Sequence, residues 1–81
     1  MKKPELQHGI YRHYKGETYQ VIDVVLHTET QDWMVLYQAY SYSFQDKQKG
    51  EVLFVRPFTM FVETISIKSE VVKRFEYIRN T

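Results

Sequence analysis

No cysteine occurs in the 81 residues, which removes disulfides, thiol catalysis and every cysteine-ligated zinc or iron–sulfur site in one step. Three glycines, at positions 9, 16 and 50, are too few and too scattered to form a phosphate-cradling loop. No G-x-S-x-G or equivalent strained nucleophile turn is present. Long apolar runs are missing too: Val52-Leu53-Phe54-Val55 is among the longest, against the roughly 18 residues of a membrane span. Met1-Lys2-Lys3 begins like an export signal. Pro4-Glu5-Leu6-Gln7-His8 then stands where the apolar stretch should be, so a cytoplasmic location is expected.

What is there is aromatic. Seven Tyr, five Phe and one Trp make 16% of the chain, within an apolar content of 43% that is ordinary for a folded domain. Each such ring can bury roughly 150–250 Å², a useful supplement to the thin core of a domain this small. Net charge is only +1, but it is unevenly spread. Residues 1–16 carry four cations against Glu5, residues 17–67 carry seven anions against three cations, and residues 68–81 are again basic. A fold that joins its two ends would gather a basic zone.

Residues 1–8 lack periodicity and read as a flexible tail ahead of one domain over 9–81. Strands are predicted over Ile10 to Tyr14, Thr18 to Leu26, Trp33 to Tyr40, Glu51 to Arg56 and Val62 to Ile67. Thr18 to Leu26 is apolar on both faces, the mark of a central or strongly curved strand. Phe58 to Phe61, behind the strand-stopping Pro57, is expected to form one 3₁₀ turn. From Ser69 onward the spacing fits helix (Val71, Val72, Phe75, Ile78) and strand (Val71, Lys73, Phe75, Tyr77) equally well. Five or six short strands in about 70 residues imply an all-β fold, a small bent barrel rather than a flat sheet with two bare edges.

Candidate chemistry falls on few residues. His8, His13 and His27 could gather around a metal, joined by Glu29 or Glu63, but their spacing supports no metal site. His27-Thr28-Glu29 matches half of a deaminase zinc motif whose cysteine half is absent. Arg56 and Glu63 flank the stiff Pro57 turn beside Phe58, Met60 and Phe61, so their charges need partners or water. One reading is an internal clamp with Arg56 donating to Glu63 or to carbonyls of the turn. The other is an anion-accepting groove formed by Arg56 with His13, Lys15 and Arg74.

Four segments occur in order: Gly9-Ile10-Tyr11-Arg12-His13-Tyr14-Lys15-Gly16, His27-Thr28-Glu29-Thr30, Val55-Arg56-Pro57-Phe58-Thr59-Met60-Phe61-Val62-Glu63, and Arg74-Phe75. Together they resemble the bacterial family known as domain of unknown function 1653, over roughly residues 9–78. The resemblance implies an SH3-like β-barrel and no established activity or cofactor. Relatives usually carry an Asp-Gly turn and a later Pro where this chain has Lys68-Ser69-Glu70 and Lys73. A Pro tolerated there implies strand or turn for the last segment. The connection from Tyr40 to Gly50 is also longer than in relatives.

The function expected on these grounds is a non-catalytic binding module, because SH3-like barrels present aromatic grooves or basic-aromatic surfaces. A small enzyme using His13, His27 and Glu63 is the alternative, disfavoured by the little volume such a barrel has for a pocket. Weak nucleic-acid binding through the basic ends is a third reading, opposed by the low net charge and the acidic middle. Tyr40, Tyr42 and Phe44, alternating with serines, put three rings on one face of a projecting ribbon. That ribbon is the expected surface for a homodimer through Tyr40–Gly50, the alternative being a monomer whose hairpin curls over its own barrel.

Overall fold

A computed structural model of the chain describes residues 2–40 and 52–80. Seven strands and one helical turn follow in order: β1 (Gly9–His13), β2 (Thr18–His27), β3 (Asp32–Ala39), β4 (Leu53–Pro57), α1 (Phe58–Phe61), β5 (Thr64–Ile67), β6 (Glu70–Lys73) and β7 (Phe75–Arg79). The class is all-β. Five strands form an antiparallel sheet in the order β4-β3-β2-β1-β7, while β5 and β6 form a separate hairpin. β4 and β7 are the two ends of the larger sheet, so among the described residues it is open and not a closed barrel.

β2 shows why a strand can be apolar on both faces. Val21 stands opposite Tyr37 and Asp23 opposite Leu36, which leaves Ile22 as an extra residue in a bulge. A bulge shifts the period-two alternation by one, so Val21 and Val24 are both buried although an unbroken strand would send them to opposite faces. A second irregularity, between Ile10 and Tyr11, interrupts the pairing of β1 with β7.

The core is a ring cluster. Tyr11, Val21, Val35, Tyr37, Phe61 and Phe75 are buried together, with Leu6, Tyr19, Phe54, Phe58 and Tyr77 packed around them. α1 places Phe61 flat on Phe75, with centroids 4.0 Å apart and planes 5° from parallel. Edge contacts join Phe61 to Tyr11 and Tyr37, both at 5.5 Å. The expected 3₁₀ turn is corrected here: Val62 N–H donates to the Phe58 carbonyl at 3.1 Å, the four-residue span of an α turn.

The last segment resolves into two strands because the chain bends at Arg74. Its N–H donates to the Glu63 carbonyl (3.0 Å) and its carbonyl accepts from the Tyr14 N–H (2.9 Å). These bonds tie the β5–β6 hairpin to the main sheet. Residues 2–8, read from sequence as a tail, form neither helix nor strand. They nonetheless make contacts: Leu6 packs on the core, the Gln7 carbonyl accepts from the Tyr11 hydroxyl (2.6 Å), and Lys3 reaches Asp23 (2.9 Å).

A basic-aromatic candidate site

β1 and β7, near the two ends of the described chain, are neighbours, with His13 directly opposite Phe75. The imidazole meets the Phe75 ring edge-on at 4.8 Å and lies 4.5 Å from the Tyr14 ring. Its backbone closes the β1–β2 turn, accepting from Gly16 N–H and donating to the Glu17 carbonyl, both at 2.7 Å. His13 Nδ1 accepts from the Lys15 N–H at 3.2 Å, which assigns the remaining proton of the neutral ring to Nε2.

Arg56 arrives from the other edge of the sheet. It lies opposite Val35 on β3 and so shares the face of that buried residue. Its guanidinium stands over the Phe75 ring at 5.4 Å, and Nε donates to the Tyr37 hydroxyl over a long 3.4 Å. Among the described residues no carboxylate comes within ion-pairing distance of it. The expected Arg56–Glu63 clamp is therefore corrected. Glu63 instead takes Arg74, with Nη2 at 2.7 Å and Nε at 2.8 Å from the same carboxylate oxygen. A clamp exists, but α1 turns the chain so that Glu63 meets the β6–β7 bend and not β4.

Electrostatics follows from this arrangement. Burial pushes the His13 pKa down, and the nearby Arg56, Arg74 and Lys15 cations push it the same way, against a smaller opposing effect of Glu17. Glu17 accepts from the Tyr19 hydroxyl at 3.3 Å, and the Tyr19 pKa is raised by burial and by that carboxylate. Lys15 sits 5.8 Å above the Tyr14 ring.

Of the eight residues singled out from the sequence, His13, Lys15, Arg56 and Arg74 thus come together, with Glu63 held on Arg74, while His8 lies apart beside Asp23 at 3.7 Å. His27 and Glu29 do not join them. They build the β2–β3 turn, where His27 Nδ1 accepts from the Glu29 and Thr30 N–H groups at 3.2 and 3.3 Å. Sequence reasoning did not place Phe75 under Arg56 and His13, because the pairing of the first strand with the last leaves no local signal. Among the described residues no three acidic or histidine side chains are placed to hold a metal ion. No helix among them is long and apolar enough to cross a membrane.

The basic ends do meet, with Ile10 opposite Arg79, yet Lys3 is engaged by Asp23 and Arg79 by the Tyr40 hydroxyl at 3.1 Å. Of the ribbon expected to dimerise, Tyr40 is described and exposed, while Tyr42, Phe44 and the other residues of 41–50 lie outside the described residues.

No curated protein matches the chain. Among solved structures it is similar to the crystal structure of a DUF1653 protein from Bordetella bronchiseptica. The TM-score is 0.77 at 26% identity, over 95% of this chain and 92% of that one. Residues 9–77 match the family described as protein of unknown function DUF1653, and the chain belongs to it.

Proposed function

We propose that this chain is a non-catalytic binding module whose contact surface is the His13–Arg56 cluster. The observation that carries the reading is a half-buried guanidinium that rests on Phe75 with no described carboxylate beside it. A guanidinium withdrawn from water is costly unless its donors are met, and a partner anion would meet them. The enzyme alternative needs His13, His27 and Glu63 in one place. His27 is spent on its own turn and Glu63 on Arg74, which leaves His13 beside cations and rings, its nearby carboxylate being Glu17, which already accepts from the Tyr19 hydroxyl. The lack of cysteine fits a cytoplasmic setting.

Affinity capture with immobilised wild type and Arg56→Gln tests this, with circular dichroism confirming that both are folded. Partners held by the wild type and lost from the variant are expected. Retention of the same partners by both would overturn the reading.

A further inference from the structure

We infer that the cluster takes a carboxylate monoanion, held by the planar fork of Arg56 with the His13 Nε2–H as a second donor. The inference rests on the binding-module reading and adds the ligand class. Charge decides first. Three cations (Arg56, Lys15, Arg74) face two carboxylates (Glu17, Glu63), leaving one positive charge, and one of those cations is already locked to Glu63. A dianionic phosphate would exceed that surplus and meet Glu17, whereas a single carboxylate matches it.

Geometry decides next. Among the described residues Arg56 spends only Nε, at 3.4 Å on the Tyr37 hydroxyl, which leaves its terminal nitrogens for the paired oxygens of a carboxylate. Phe75 and Tyr37 hold the guanidinium in place before any ligand arrives, which reduces the ordering that binding requires. His13 contributes without charge: Nδ1 is occupied by the Lys15 N–H, so the neutral ring presents a donor and not a second cation. A site built of one fork and one neutral donor selects a flat, singly charged group.

Titration of the whole chain with acetate or inorganic phosphate at pH 7.5 and fixed ionic strength, read on the Arg56 Nε–H and His13 ring signals by NMR, provides the test. Acetate should shift both signals saturably, and phosphate should bind at least about threefold more weakly. Arg56→Lys, which keeps the charge but loses the fork, should weaken acetate by roughly tenfold, and Arg56→Gln should abolish the response. Tighter binding of phosphate than acetate would overturn the carboxylate assignment while leaving the captured partners of the previous test in place. So would an acetate response unchanged in Arg56→Lys, or the absence of any response in the wild type.

Discussion

Arg74 closes on Glu63 with two nitrogens on one carboxylate oxygen, and the same two residues are joined again through the Arg74 N–H and the Glu63 carbonyl. This double tie fastens the β5–β6 hairpin to the main sheet. The side chains are partly exposed, 23% for Arg74 and 37% for Glu63, so solvent screens the pair and its worth is below that of a buried one. Arg74→Ala should cost about 1–2 kcal/mol in urea unfolding. Arg56→Ala, which loses a ring contact but relieves repulsion with its cationic neighbours, should change stability by less than about 1 kcal/mol. The reverse ranking of the two midpoints would show that the clamp runs through Arg56.

Gly9 opens β1 with φ at +142°, and an added Cβ would stand 2.5 Å from the Arg79 carbonyl oxygen and 3.1 Å from the Tyr77 ring. The obstacle is backbone, which a rotamer change cannot clear. Gly9→Ala is expected to destabilise by roughly 2–4 kcal/mol through the β1–β7 pairing. Gly16, at φ +108°, has nothing within 4 Å, so Gly16→Ala should cost only the strain of that conformation, about 1 kcal/mol. Equal losses in the two variants would place the cost in φ alone.

Strand positions were legible because they are local. The alternation in Thr18 to Leu26, apolar on both faces, carried the curvature that the Ile22 bulge produces. The pairing of Arg56 and Glu63 misled because proximity in sequence says nothing about direction after a turn: α1 sends Glu63 toward a residue beyond the next hairpin. Helix and strand periods overlapped in the tail because Arg74 breaks it into two four- and five-residue strands, too short for either pattern to show. Candidate residues with charge were found one by one. Their meeting on Phe75 depends on β1 pairing with β7, a contact between the ends of the domain that no local pattern encodes.

The β5–β6 loop offers a gain in stability. Lys68 and Ser69 have φ of 49° and 70°, both left-handed, between the paired Ile67 and Glu70. Two such residues in a two-residue hairpin loop are the signature of a type I′ turn, which favours Asn or Asp followed by Gly. Ser69→Gly should therefore stabilise the chain by about 0.5–1 kcal/mol, seen as a higher urea midpoint. A lower midpoint would mean that Ser69 makes a contribution beyond its backbone.

His13 links the site to pH. The groups that face it are Arg56 from β4, Arg74 from the β6–β7 bend, and Lys15 and Glu17 from its own turn. Burial and the three cations hold its pKa below the ordinary value near 6.5. The unfolded chain therefore takes up this proton at higher pH than the folded one. Stability from this group is complete above about pH 6.5, falls as pH drops toward the folded pKa, and levels off below it. Comparing urea midpoints of wild type and His13→Gln across that range isolates the effect from His8 and His27, and the variant should show a flatter pH dependence. Removing a cation should move the group the other way. In Arg56→Gln the His13 ring, followed by NMR, is expected to titrate at higher pH than in the wild type, yet still below the ordinary value because its burial persists. A His13 that titrates identically in both proteins would show that Arg56 does not share its field, and the cluster would lose its electrostatic coherence.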